Sequence, residues 1–407
     1  MKVDFSIRNL PQIKTLLPLL GMCFALLSFQ VTAFELFNSV QIHGFATQGL
    51  FSTTRNNIFG DSSDGISPDF TELGINGSWV PLPKLRLSMQ IISRRAGDAN
   101  DGTPMIDFGL LDYSFFDKED YRIGVRLGRV RLPYGLYNDT RDVAFTRPSI
   151  LLPQSIYFER TRDLTLSGDG GMIYGQYRHP WGTLTLEMIT GFPRTDNSET
   201  RSAVLSTSDA NGNLQADLSF IGRLNYELDN GRIRFAITGA RVQTHYTPLN
   251  SFDPLPRGTD VFSPVIFSAQ YKGEKLSLTS EYSLRPINKS GFGPFLDYNV
   301  VGESYYFQAA YRIFEKWEIM ARYDALYNDR DDPQGLELQQ KTGIPAYTQY
   351  AKDWTTGIRY DVTPWLMIRG EYHYINGTAW LPTQDNPVPP LPSKYWEMFA
   401  LLVSFRF

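Results

Sequence analysis

The chain has 407 residues, 43 acidic against 39 basic side chains, 42% hydrophobic residues and a single cysteine. A formal charge of −4 gives no electrostatic footprint for nucleic acid, and one cysteine excludes a disulfide framework. No segment after the N-terminus offers eighteen consecutive apolar residues, so no transmembrane helix is expected.

Residues 1–33 read as a secretory signal. Lys2, Arg8 and Lys14 make a positive start, Thr15–Phe29 is apolar but too short to span a bilayer, and Val31-Thr-Ala33 is a small-residue cleavage site. Cys23 lies inside this signal, preceded by Met22 rather than the small residue a lipoprotein site needs. Cleavage would remove three basic side chains and one acid, taking the formal charge from −4 to −6.

From residue 34 to 407 a single domain is expected, built on period-2 alternation in segments of about ten residues. Leu85, Leu87, Met89 and Ile91 alternate with Arg86, Ser88 and Gln90. Tyr121, Ile123, Val125 and Leu127 alternate with Arg122, Gly124 and Arg126. The pattern recurs at Phe220–Leu228, Trp317–Asp324 and Leu366–Tyr374. A soluble sandwich also alternates, so the connections decide the class. Short turns (Pro81–Lys84, Asp117–Asp120, His179–Gly182, Asp229–Gly231, Lys272–Lys275, Phe314–Lys316, Asp361–Pro364) alternate with long polar loops at 52–68, 94–103, 128–170, 193–213, 247–260, 287–303, 328–351 and 376–394. Short turns on one rim and long loops on the other describe an all-β, antiparallel transmembrane barrel of about sixteen strands in a bacterial outer membrane. Trp79, Trp181, Trp317, Trp354 and Trp365 stand at strand ends, where an interfacial girdle needs them. The final segment is apolar at Phe399, Leu401, Val403, Phe405 and Phe407. It resembles the terminal aromatic signature of bacterial outer-membrane proteins, which implies that Phe407 is read by the barrel assembly machinery.

The longest connection, Gly128–Gly170 between the fifth and sixth strands, breaks the alternation. Arg126, Arg129, Arg131, Arg141, Arg147, Arg160 and Arg162 crowd it, against the acids Asp139, Asp142 and Glu159, with Asp163 just beyond. Pro133, Pro148 and Pro153 interrupt pairing, and Val143–Phe145 and Ile150–Leu152 are apolar patches that need a surface to pack on. The expectation is a loop folded into the lumen that narrows the channel. Arginine offers a permanent charge and a planar fork of donors, and no lysine occurs from Glu119 to Tyr271. Inward-facing Arg86, Arg122, Arg223, Arg232, Arg234, Arg312, Arg322, Arg359 and Arg369 would extend a path for anions. Glu227, Asp324 and Glu371 also face inward, so structural pairing of the arginines is the competing reading.

Gly128-Arg-Val-Arg-Leu-Pro-Tyr-Gly135 resembles the Gly-x-x-x-x-Pro-aromatic-Gly run opening the third loop of porins related to the phosphate-selective porins. Phe158-Glu-Arg, Arg162 and Asp163 look like that loop's end. The resemblance implies a sixteen-stranded homotrimeric channel with anion traffic. Phosphate-selective members also place lysines at the eyelet; this stretch has none, so carboxylates or unselective diffusion stay open.

The function expected is passive diffusion of small hydrophilic solutes with a bias toward anions, with outer-membrane lipid and lipopolysaccharide as surroundings. Two alternatives stand beside it: a sugar channel using Tyr134, Tyr137, Tyr157 and Tyr174 as a greasy path, and a barrel-borne enzyme or adhesin. No catalytic motif, metal site or cofactor motif is read. The histidines 43, 179, 245 and 373 are scattered, and the acidic runs Asp61–Asp64 and Asp329–Asp332 lack the spacing of a calcium loop.

Overall fold

The computed structural model describes residues 34–35, 39–294 and 296–407; the signal-segment expectation lies outside the described residues. Sixteen long strands form the wall. They are β1 (Val40–Thr53), β2 (Ser67–Leu82), β3 (Leu85–Ala96), β4 (Met105–Asp117), β5 (Tyr121–Arg131), β6 (Ser167–His179), β7 (Gly182–Pro193) and β8 (Ser219–Leu228) in the first half. The second half is β9 (Ile233–Thr247), β10 (Val265–Lys272), β11 (Leu276–Ser290), β12 (Tyr298–Phe314), β13 (Trp317–Tyr327), β14 (Tyr350–Thr363), β15 (Leu366–Gly377) and β16 (Tyr395–Arg406). Each pairs antiparallel with its sequence neighbour, and β16 closes on β1 from Phe45↔Arg406 to Thr53↔Met398. Closure removes the unpaired edge that lipid would not tolerate.

The alternation has the predicted meaning. On β16, Phe399, Leu401 and Val403 point out and are exposed, while Met398, Ala400 and Leu402 are buried. Leu73, Ile75 and Trp79 of β2 face out, whereas Glu72 is fully buried on the opposite face. Four of the five girdle tryptophans (79, 181, 317, 354) are exposed. The turns at 83–84, 118–120, 180–181, 273–275, 315–316 and 364–365 are short, as expected, and the other rim carries the long loops.

One boundary is corrected. Pairing of β5 with β6 continues from Tyr121↔Tyr177 to Arg131↔Ser167, so Gly128 and Gly170 face each other inside the wall and the connection is 132–166. Gly128 keeps the ladder intact at φ +120°, where a Cβ would meet the Gly109 carbonyl oxygen at 2.4 Å. Glycine alone fits that position. Arg126, Arg129 and Arg131 are therefore strand residues.

Candidate functional site

Beyond three single 3-10 turns and a five-residue helix (Arg162–Leu166), residues 132–166 hold their shape through side chains. Asn138, fully buried, donates to the carbonyls of Leu132 (2.9 Å) and Thr165 (2.8 Å), stapling the two ends of the connection together. Its apolar patches divide between two clusters. Phe145, Ile150 and Leu151 pack with Met367, Ile375 and Leu402. Leu152, Ile156 and Tyr157 pack with Ile266 and Tyr306.

Polar contacts tie the same segment to the polar face of strands far apart in sequence. Glu281 on β11 accepts from the backbone N–H of Leu136 (3.1 Å) and the Tyr157 hydroxyl (2.7 Å). Glu371 on β15 accepts from Ile150 N–H (2.7 Å). Arg322 on β13 donates to Ser149 Oγ (2.8 Å) and the Leu151 carbonyl (3.0 Å). Arg369 donates to the Arg147 carbonyl (3.0 Å), and Arg147 itself pairs with Glu72 on β2 (3.0 Å).

The arginines singled out from the sequence are mostly partnered. Arg131 bridges Asp107 and Asp142, and Arg162 binds Asp142 with Glu159 at 3.5 Å. Arg141 binds Glu159 (2.7 Å) and the Tyr157 carbonyl (2.8 Å); Arg160 binds Glu199 (2.6 Å). Burial pushes the Asp142 and Glu159 carboxyls up, but the guanidiniums around them outweigh it and hold both well below the usual carboxylate range. Burial pulls Arg141 down to about 10, still above neutral pH.

On the wall, Arg126 reaches Asp112 (3.1 Å) and lies 4.7 Å over the Tyr174 ring. Arg122 donates to Ser114 Oγ (2.9 Å), and Arg234 bonds Asn225. Arg223 bridges Glu187, Asp139 (2.8 Å) and the Gly135 carbonyl (2.8 Å). Arg312 contacts Glu318 (3.4 Å), and Arg359 contacts Asp361 (2.8 Å). Arg86 has no ion pair among the described residues and is exposed near the short-turn rim. Arg232 pairs with Asp229 in a short turn. Arg129 stands apart: two residues from exposed Leu127, it pairs with Asp169 (2.7 Å) and donates to the Ile106 carbonyl, on the apolar face of the wall.

The tyrosines expected to form a sugar path do not line open space. Tyr134, Tyr137, Tyr157 and Tyr174 are all buried, and Tyr137 packs edge-on to Tyr157 at 5.8 Å. His373 is buried; its Nδ1 meets both Asp353 (2.8 Å) and Thr355 (3.1 Å), so no nucleophile–base–acid order exists there. Asp332 accepts from Leu336 and Leu338 N–H, an ordinary turn role.

Sequence reading missed Glu72, Arg94, Asp107, Glu281 and Arg285. Arg94 joins Glu72 (3.2 Å) to Glu159 (2.7 Å), and Arg285 donates to the Tyr327 carbonyl (2.8 Å). Their signal was register: each is a charge on the inward phase of an alternating strand.

A closed sixteen-strand wall, apolar outside and polar within, is a membrane-spanning barrel, and it places the chain in the bacterial outer membrane. Solved structures with this fold include an anion-selective porin from Comamonas acidovorans (11% identity, 91% of this chain and 99% of that one, TM-score 0.57). The outer membrane channel DcaP of Acinetobacter baumannii matches at 12% identity, over 93% and 100% of the two chains, with TM-score 0.55. OmpT, an outer membrane protein of Vibrio cholerae, matches at 10% identity over 93% and 100%, with TM-score 0.56. No protein-family model matches the chain, and no curated protein is similar to it in sequence.

Proposed function

We propose that this chain is a porin that lets small hydrophilic solutes diffuse through a lumen narrowed by residues 132–166. The observation that carries the reading is the span of that segment's bonds, from Glu72 on β2 to Glu281 on β11 and Glu371 on β15. A sixteen-strand barrel leaves a lumen its own side chains cannot fill, and a segment tied to strands that distant crosses it. Because Arg131, Arg141, Arg147, Arg160 and Arg162 each sit against a carboxylate, the constriction is close to electrically neutral. Weak selectivity follows.

A second reading keeps the anion bias. Guanidinium nitrogens of Arg131, Arg141, Arg147, Arg322 and Arg369 lack hydrogen-bond partners, so the arginines carry more donors than the carboxylates beside them satisfy. Reversal potentials of reconstituted channels across a KCl gradient separate the two. A value near zero, with no block by phosphate, sulfate or gluconate, supports the neutral constriction. Clear anion selectivity with block favours the second reading. Absence of any ion current would sink both in favour of an enzyme or adhesin. Homotrimeric assembly, expected from the resemblance, is tested by native mass of the detergent-solubilised protein.

A further inference from the structure

The outward face of the long-loop rim carries a cationic pocket that the channel reading does not use. Lys352 is the third residue of β14, in the same outward phase as Trp354, which is 61% exposed. It therefore points away from the lumen, one step above the aromatic girdle, where lipid headgroups begin. Its ammonium lies 5.6 Å from the Tyr327 ring and 5.4 Å from the Tyr350 ring. Lys394, just before β16, lies 5.0 Å over the Tyr395 ring. The register Lys352↔Asn376↔Tyr395 sets the two lysine-bearing strands on either side of β15.

Both ammoniums converge on Tyr350. With Pro333, Gln334, Leu336, Gln339, Ala346 and Tyr347 they line a pocket of about 400 Å³ between the wall and loop 328–349. The phenols of Tyr395 and Tyr350 beside Lys394 hold it above its ordinary value. Neither lysine has an ion pair among the described residues, unlike Lys341, which is bound to Glu337. On the outward face of β16 the nearby acid, Glu397, is engaged by Tyr372. Two unpaired ammoniums framed by three phenol rings ask for a multiply charged anion. Their height on the wall selects one that is anchored in the membrane.

We propose that Lys352 and Lys394 bind the phosphate groups of the outer-leaflet glycolipid, with Tyr327, Tyr350 and Tyr395 framing the headgroup. The inference rests on the outer-membrane placement of the barrel and is independent of what passes through the lumen.

The test uses the folded full-length barrel in detergent, mixed with bis-phosphorylated lipid A, separated by size exclusion, with retained lipid counted per barrel. Wild type is expected to retain lipid A at least tenfold more than Lys352→Gln/Lys394→Gln, while the double Lys→Arg variant retains it. Dephosphorylated lipid A should be lost, and millimolar inorganic pyrophosphate should displace the lipid only partly. Equal retention by the Gln variant, or retention of the dephosphorylated lipid, overturns the site. Pyrophosphate binding as tight as lipid A overturns the lipid assignment in favour of a soluble anion. Heat-modifiable mobility confirms that the variants fold. Their unchanged single-channel conductance keeps this result separate from the porin reading.

Discussion

Glu281 is the most informative residue to remove. Its two oxygens accept from four donors: Leu136 N–H (3.1 Å), Ser268 Oγ (2.7 Å), Tyr157 Oη (2.7 Å) and Tyr306 Oη (2.8 Å). Two of these belong to the connection and two to the wall, so the carboxyl is the joint between them. Tyr157 Oη in turn accepts from Leu136 and Tyr137 N–H, which fixes the tight turn at Gly135. That glycine has φ +61°, and a Cβ there would meet Tyr157 Oη at 2.5 Å. Glu281→Ala strands the buried hydroxyls of Tyr157, Ser268 and Tyr306, while Leu136 N–H keeps its bond to Tyr157 Oη (2.7 Å). Only the Leu136 and Tyr157 bonds join the segment to the wall; at about 1 kcal/mol for each net hydrogen bond its docking weakens by about 2 kcal/mol, roughly thirtyfold in the equilibrium. The wall pairing of β11 with β10 and β12 is untouched, so the barrel should fold. The expected result is higher, noisier single-channel conductance and trypsin cleavage at Arg141 or Arg160, with heat-modifiable mobility unchanged. Glu281→Gln, which keeps one acceptor, should fall between. Wild-type conductance and protease resistance in Glu281→Ala would refute the claim that this joint holds a constriction.

Other perturbations test separate parts of the reading. Arg129→Ala should leave the reversal potential unchanged, because the side chain pairs with Asp169 on the apolar face; a shift toward cations would place it in the pore. Phe407 exchanges two backbone hydrogen bonds with Gly44 (3.0 and 3.1 Å), and its ring fills the space where a Gly44 Cβ would stand. Deleting it should reduce the heat-modifiable barrel recovered from membranes, while export is unaffected. Asp385 knots loop 378–394 to two others by accepting from Phe59 N–H in loop 54–66 and from Asp98 N–H in loop 97–104. Burial raises it from 3.8 to about 6, so the knot is favoured when the carboxyl is protonated: its stabilisation is complete below pH about 4 and lost as pH rises through 6. Protection factors in these loops, corrected for intrinsic exchange, should therefore be lower at pH 7 than at pH 4, and Asp385→Asn should flatten that difference.

The wall was legible because a barrel in lipid must change solvent at every residue: Phe399, Leu401 and Val403 alternate with Met398, Ala400 and Leu402 along one strand. That the long connection packs rather than hanging free was legible, since Ser149–Pro153 is too apolar for solvent, and Ile150, Leu151 and Leu152 are buried. What each charge faces was not legible. Arg147 meets Glu72 across 75 residues, and Ile150 meets Glu371 across 221, distances over which composition carries no pairing information. Two arginines two residues apart, Arg129 and Arg131, end on different partners, Asp169 on the wall and Asp107 with Asp142 beside the connection. The sugar-path tyrosines failed for a related reason: the phenols needed as hydrogen-bond donors inside the packing were read as surface.

The absence of lysine from Glu119 to Tyr271, which counts against phosphate selectivity, fits a structural role for the arginines. A polar segment buried against a wall needs side chains that satisfy several acceptors at fixed angles, and the planar guanidinium does so where an ammonium cannot. Arg223 bridges two carboxylates and a carbonyl, and Arg322 serves Ser149, the Leu151 carbonyl and Thr355 at once. Arg322→Lys separates the two roles because it keeps the charge and removes the fork. If the arginines act as a filter, conductance and reversal potential should both stay near wild type. If they act as a scaffold, the Ser149–Leu151 stretch loses its hold. About 1 kcal/mol for each of two lost bonds to it should then give a noisier, larger conductance at an unchanged reversal potential. An unchanged conductance trace would sink the scaffold reading and return the arginines to the pore.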